Sequence, residues 1–450
     1  MTILVVHNRY RFRGGEDSVY ESECAMLENA GHRVVRYEKS NADIRERGLL
    51  RKIGLAARTV WNPSTVRDVK ALIRAEKPDV VHCHNTFPVI SPSVYWAAAA
   101  EGVPVVQTLH NYRLACLNGY LFRDGAVCED CLGRAPWRGV CRACYRGSRL
   151  QSAAVAAMLL VHRALGTYRR KVSLYVALTD FAKDKFAAAG LPADKIAVKP
   201  NALVVSHGGK RVGRSATMES PDGKMDDAFR IVCIGRLSRE KGVDVLLRAW
   251  AILFGGNKAQ NERAGPRQAP GNALTAGSDQ APPASCMIVG DGPERESLER
   301  LSASLGISAS VRFSGIIPRS EALSELARSN LLVLPSTCYE QFSTTVLEAM
   351  RAGITALVSD RVMNSTLVRD GVTGRFFKSG DPASLAAALR DLLSDPERLR
   401  KMGEAAREAF ERSDCVPERN LAKLLDAYRT SRERAAAPAA RGESASHAVD

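Results

Sequence analysis

Short apolar runs alternate with longer amphipathic stretches along most of the 450 residues, which is the rhythm of parallel α/β architecture. In the first half the runs are Ile3 to His7, Val34 to Tyr37, Val80 to Cys83, Val105 to Leu109, Leu174 to Leu178 and Ile196 to Lys199. Helices are predicted between them near 16–31, 64–76, 91–101, 149–170 and 180–189, the last with Asp180 as N-cap and Gly190 as C-cap. A polar stretch from Ser206 to Asp227 interrupts the rhythm. It resumes with strands at 229–234, 286–290, 310–314, 331–335 and 355–358. So long a chain divides into domains: an N-terminal lobe over 1–204, a linker over 205–228 and a C-terminal lobe over 229–430. The terminal helices after Glu411 are expected to cross back and brace the first lobe. Residues from about 255 to 284 are dense in Gly, Ala, Asn, Gln and Pro, and 431–450 is similar. Neither stretch can bury a core, so both are predicted to be disordered.

Composition adds a compartment and a surface. Hydrophobic residues make up 45% of the chain and charged residues 25%, which suits a globular protein in water. No apolar stretch reaches the roughly 18 residues of a spanning helix. Met1-Thr2 runs straight into an apolar strand with no basic leader, so a cytoplasmic protein is expected. The net charge is +15 and uneven: residues 1–200 hold 30 Lys and Arg against 18 Asp and Glu, and the remainder 34 against 31. A basic first lobe favours an anionic membrane face or a phosphorylated acceptor. Nucleic acid is not the expected partner, because no recognised binding module accompanies the charge. Residues 49–77, with Leu49, Leu50, Arg51, Lys52, Ile53 and Trp61, could lie on the inner face of the plasma membrane as an amphipathic surface. Their other reading is a helix packed on its sheet with solvated arginines.

Five of the eleven cysteines crowd one glycine-rich segment, 116–144. Cys128/Cys131 and Cys141/Cys144 have the spacing with which two thiolates grip a tetrahedral zinc. A structural zinc held by Cys116, Cys128, Cys131 and Cys144, with Cys141 as the alternative ligand, is one expectation, and reduced thiols are the other. The remaining six cysteines read as small core residues.

The most telling chemistry lies in the run Tyr339 to Met350. Glu340 is placed on the loop after the strand ending near Pro335, and Glu348 in the helix that Gly353 would close. Between them the amides of Ser343, Thr344 and Thr345 open a helix, where a phosphate can be held. Arg236 and Lys241, in Gly235-Arg236-Leu237-Ser238-Arg239-Glu240-Lys241-Gly242, would bring two positive charges from another strand-to-helix loop to a diphosphate.

Together these elements resemble the family 4 glycosyltransferases, retaining enzymes of the two-lobed GT-B fold, from Val5 to about Tyr428. In the second half the likeness rests on Gly235-Arg236, Lys241-Gly242, Val289-Gly290-Asp291-Gly292-Pro293, Val311-Arg312-Phe313-Ser314-Gly315 and the Glu340 to Glu348 element. In the first half it rests on Gly14-Gly15-Glu16, His82-Cys83-His84-Asn85, Thr108 to Arg113 and Lys199-Pro200-Asn201. The resemblance implies two Rossmann-like parallel-sheet lobes facing across a cleft, and transfer of a sugar from a nucleotide-sugar donor to a glycan or lipid-linked acceptor. It also implies that no metal is required for catalysis, with Arg236 and Lys241 stabilising the departing diphosphate. Glu348 would hold the ribose hydroxyls and Glu340 the transferred sugar, while Gly235, Ser343, Thr344 and Thr345 would border the phosphates. Gly14 and Gly15 would allow close approach of the first-lobe loop. His110 would meet the sugar near its reacting carbon, and Asn201 would line the cleft beside the hinge. His82 and His84 are weaker candidates, and His7 reads as structural. The segment 108–147 resembles a bacterial subgroup associated with cell-envelope polysaccharide assembly.

One stretch departs from that pattern. Ser359-Asp360-Arg361-Val362-Met363-Asn364-Ser365-Thr366 lacks the paired glycine and the glutamate of many relatives, and Thr355 stands where a proline is usual. A nucleotide-sugar epimerase of the same fold and a non-catalytic nucleotide-binding homologue are the competing readings.

Overall fold

The computed structural model describes residues 1–11, 14–44, 49–203, 229–255, 284–363 and 367–437. These form two compact units. One takes Met1–Gly119, Asp130–Val204 and the chain from Pro417; the other takes Tyr120–Glu129 and Val205–Val416. The linker at 205–228, nearly all of the insertion expected at 255–284, and 438–450 lie outside the described residues. The last helix, Pro417–Ala436, runs past Ser431 into the stretch expected as tail.

Strands β1 (Thr2–Arg9), β2 (Arg33–Ser40), β3 (Val80–Asn85) and β4 (Val105–Leu109) belong to the first unit. The two-residue strands β5 (Phe122–Arg123) and β6 (Ala126–Val127) form a hairpin grouped with the second unit. Its turn residues Asp124 and Gly125 both have positive φ, the geometry for which Asp-Gly is suited. Strands β7 (Leu174–Ala177) and β8 (Ile196–Val198) complete the first sheet, in the order β2-β1-β3-β4-β7-β8, and every pairing is parallel.

Helix starts follow cap chemistry. Asn62 accepts from the Ser64 amide at 3.1 Å ahead of Pro63–Glu76. Thr179, rather than Asp180, caps Asp180–Ala188 by accepting from Ala182. The helix expected over 149–170 breaks at Gly166. Leu424, Ala427 and Tyr428 of the last helix sit in one core with Ile3, Val5, Tyr20, Val106 and Val176, so the chain's end completes the first unit.

The second sheet holds β9 (Phe229–Ile234), β10 (Ala284–Val289), β11 (Val311–Gly315), β12 (Leu331–Leu334), β13 (Thr355–Ser359) and β14 (Arg375–Phe377), again all parallel, in the order β11-β10-β9-β12-β13-β14. The three-residue edge strand β14 is too short for a sequence signal. Trp250 is fully buried and donates to Ser310 Oγ at 2.9 Å. Chain order reverses between β9 and β12. In open α/β sheets such a switch point, beyond the strands' carboxyl ends, is where ligands bind.

Candidate functional site

Two loops leave that switch point, 235–242 after β9 and 335–343 after β12. Glycines let the first come into place. A Cβ on Gly290, whose φ is +138°, would lie 1.9 Å from the Gly235 carbonyl oxygen. One on Gly292 would lie 2.2 Å from that of Leu237. The Leu237 amide bonds the Asp291 carbonyl at 3.0 Å, and the Glu294 amide bonds the Leu237 carbonyl at 3.0 Å. Gly242, at φ +64°, would likewise drive a Cβ to 2.1 Å from the Pro335 carbonyl. Across that approach the Thr337 amide bonds the Glu240 carbonyl at 2.8 Å.

This clamp delivers Lys241 Nζ to 3.0 Å from Glu340 Oε2. Ser336 Oγ donates to the same oxygen at 2.5 Å. Burial opposes the ammonium charge, and the Glu340 carboxylate outweighs it, so the pKa of Lys241 is raised and the group stays cationic. Arg236 is exposed on the same loop, and a Cβ on Gly235 would meet nothing within 4 Å. The unusual 359–366 loop has a structural role as far as it is described. The Glu340 amide bonds the Arg361 carbonyl at 3.0 Å, and the Met363 amide bonds the Glu340 carbonyl at 2.9 Å. Residues 364–366 of that loop lie outside the described residues. Thr355 uses its hydroxyl to bond the Leu399 carbonyl at 2.7 Å.

Ser343 caps the helix Thr344–Ala352 by accepting from the Val346 amide at 3.4 Å. Thr344 and Thr345 supply its opening amides. Glu348 lies on this helix, and its partner is Arg319, at 2.7 Å. Burial raises the Glu348 pKa while Arg319 opposes the rise. Of the four charged groups expected together, Lys241 and Glu340 pair with each other, Glu348 pairs instead with Arg319, and Arg236 is exposed. Arg319 was missed because nothing in its local sequence separates it from a solvated helix start.

In the first unit β3 is buried along its whole length, so His82 and His84 are forced inside. His82 bonds the Tyr428 hydroxyl through Nδ1 and Thr108 Oγ1 through Nε2, both at 2.8 Å, and burial pushes its pKa down to about 4. His84 Nδ1 lies 2.9 Å from His110 Nε2. Burial, reinforced by neighbouring imidazoles and Lys199, holds His84 and His110 well below the usual histidine range. His7 Nε2 bonds Asp17 Oδ1 at 2.8 Å, and its ring stacks on Tyr20 at 4.3 Å. Gly14 and Gly15 open the helix Gly15–Asn29, and a Cβ on either would meet nothing within 4 Å, so the described packing does not require glycine there. Asn201 is buried and its Oδ1 lacks a partner.

Among the described residues one group brings three ligand atoms within 4.8 Å of one another: Glu23, His82 and His84. It does not fit a divalent ion. Both His82 nitrogens are engaged, and the Lys199 ammonium already lies 2.6 Å from Glu23 Oε1. Cys116, Cys128, Cys131 and Cys144 are partly buried free thiols. Cys141 is exposed at the end of the helix Trp137–Cys141, and Cys116 Sγ bonds Asn118 Oδ1 at 3.0 Å. Cys24, Cys83, Cys233, Cys286, Cys338 and Cys415 are buried, as expected.

The fold and these motifs match known families. Residues 217–409 match the family model for glycosyl transferases group 1, and residues 14–202 match that for a glycosyl transferase 4-like domain. The chain belongs to this glycosyltransferase family. The D-inositol 3-phosphate glycosyltransferase of Streptomyces coelicolor is 32% identical over 44% of this chain and 39% of its own length. D-inositol 3-phosphate glycosyltransferase 1 of Catenulispora acidiphila is 27% identical over 79% of this chain and 73% of its own length. The chain thus spans less than half the length of the first curated relatives it matches. Among solved structures, Anabaena Alr3699/HepE in complex with UDP and glucose superposes with a TM-score of 0.61 at 17% identity, covering 95% of this chain and 99% of that one. Two all-parallel α/β units with this likeness define the GT-B fold.

Proposed function

We propose that this chain is a retaining glycosyltransferase that moves a sugar from a nucleotide-sugar donor to a glycan or lipid-linked acceptor in cell-envelope polysaccharide assembly. The observation that carries the proposal is the glycine-clamped loop at the β9/β12 switch point, which holds a cationic lysine against Glu340. A departing nucleotide diphosphate gains negative charge as the glycosidic bond breaks. Lys241 and Arg236 would meet that charge in place, without a reorganisation cost at the moment of reaction. The opening amides of the helix Thr344–Ala352 add the positive end of a helix dipole. Glu348 would read ribose hydroxyls, Glu340 and His110 would contact the transferred sugar, and Gly14, Gly15, Gly235 and Asn201 would border the donor. That HepE was solved with UDP and glucose supports a nucleotide-sugar donor here. The test is incubation with labelled nucleotide sugars: release of nucleotide that requires an acceptor is expected. An isomerised donor would replace the proposal with an epimerase, and binding without turnover with a non-catalytic homologue.

No helix among the described residues is long and apolar enough to cross a membrane. We propose peripheral attachment to the inner face of the plasma membrane through the first unit. Ile53 is 55% exposed on the helix Leu49–Val60, and Leu150, 64% exposed, lies with the exposed Leu160 and Val161 on the helix Arg149–Ala164 against which it packs. Arg58 and Arg149 are exposed on the same two helices, so apolar and basic groups are presented together. Trp61 contributes less than its sequence context suggests, since its ring stacks on His162 at 6.0 Å. Vesicle flotation is expected to show binding to anionic and not to neutral bilayers. Equal binding to both would refute the electrostatic part.

A further inference from the structure

Glu23 and Lys199 form a buried ion pair at 2.6 Å that the proposed transfer does not use. Lys199 has three N–H groups, and all have acceptors: Glu23 Oε1 at 2.6 Å, Asn420 Oδ1 at 2.9 Å and the Pro200 carbonyl at 3.2 Å. The second carboxylate oxygen, Glu23 Oε2, faces His84 Nε2 at 3.5 Å. Both atoms are buried and neither has a hydrogen-bond partner. A carboxylate offers only lone pairs. A bare ring nitrogen there would set lone pair against lone pair, so the His84 proton belongs on Nε2. His84 Nδ1 must then accept, and the atom 2.9 Å away, His110 Nε2, must donate. A neutral imidazole that donates through Nε2 has a bare Nδ1. The suppressed basicity of both rings keeps them neutral. His82 and His7 do not compete, because Tyr428, Thr108 and Asp17 hold their bonded nitrogens.

We propose that Glu23, acting through His84, fixes the tautomer of His110 so that Nε2 carries the proton and Nδ1 accepts a hydrogen bond from a substrate hydroxyl. Glu23, His84 and Lys199 are positioning residues. The hydroxyl contact rests on the transferase reading, whereas the protonation pattern stands apart from it.

The tautomers are read in the full chain labelled with ¹⁵N-histidine, from two-bond proton–nitrogen correlations assigned with His84→Asn and His110→Asn. The native protein is expected to show His110 protonated at Nε2. In Glu23→Gln the amide oxygen can keep Lys199 while the amide NH₂ faces His84. Both rings must then exchange tautomers, and kcat should fall by about tenfold or more with KM held within about twofold. His84→Asn retains a carbonyl acceptor opposite His110 Nε2 and should preserve the His110 tautomer, which keeps the test informative if Glu23→Gln fails to fold. A native His110 protonated at Nδ1, or one whose tautomer ignores Glu23→Gln, would overturn the proposal. The expected tautomers in a protein with no transfer activity would uphold this proton arrangement and refute the transferase reading instead.

Discussion

The two units share a parallel sheet but treat charge in opposite ways at the carboxyl ends of their strands. In the first, burial drives the basicity of His82, His84 and His110 down; their hydrogen-bonded partners are one another and neutral hydroxyls, and the Glu23 carboxylate comes only to 3.5 Å from His84. In the second, Lys241 keeps its charge because Glu340 sits 3.0 Å away on an adjoining loop. Desolvation acts in both places: at Lys241 the Glu340 carboxylate outweighs it, and at the histidines nothing does. One unit thus keeps neutral imidazoles in its interior, and the other a cation on its switch-point loop.

The sharpest way to break that comparison is Lys241→Ala. If the cation meets the leaving group, kcat/KM should fall on the order of 10²- to 10³-fold. The melting temperature should change little, because Glu340 keeps the Ser336 hydroxyl and the backbone bonds to Arg361 and Met363. Activity within tenfold of the native protein would show that the pair is structural.

The clamp itself is tested by two glycine substitutions. Gly290→Ala places a methyl group where the Gly235 carbonyl already stands, at a φ of +138°. It should cost about 2–4 kcal/mol of stability. Gly235→Ala meets open space and should leave thermal unfolding unchanged while weakening nucleotide binding measured by calorimetry. Equal stability losses in both variants would mean that the loop is held by something other than the close approach at Gly290.

Much of this was legible in the chain, and the limits have physical causes. Apolar runs of four to six residues marked most of the strands, since a parallel strand is buried on both faces. Gly290 and Gly292 stood out only within a motif of the resembled family, and Glu340 by its place on a strand-end loop. The partner of Glu348 did not, since Arg319 reaches it from another helix. Nor did the Glu23–Lys199 pair, which joins the first helix to the end of the last strand of the first sheet across 176 residues of sequence.

The smallest expected effect tests whether a buried group of the first unit without an ion-pair partner is held neutral even when it is not a histidine. Glu16 lies in the first turn of the helix Gly15–Asn29, accepts from the Tyr10 hydroxyl at 2.9 Å, and has a buried Oε1 without a partner. Burial pushes its carboxyl up to about 7, only partly offset by Tyr10. The folded state therefore binds this proton more tightly than the unfolded chain, whose glutamate titrates near 4.5. Below that pH both states are protonated and the group costs nothing. Between there and neutrality the unfolded chain ionises first, so stability falls as pH rises and levels off above about 7. Glu16→Gln imitates the protonated form. Allowing for partial solvent screening, it should stabilise the protein by about 1–2 kcal/mol at pH 8 and leave urea unfolding at pH 4.5 unchanged. A variant less stable than the native protein at pH 8 would show that this carboxylate is paired and charged, and that the contrast between the units is confined to imidazoles.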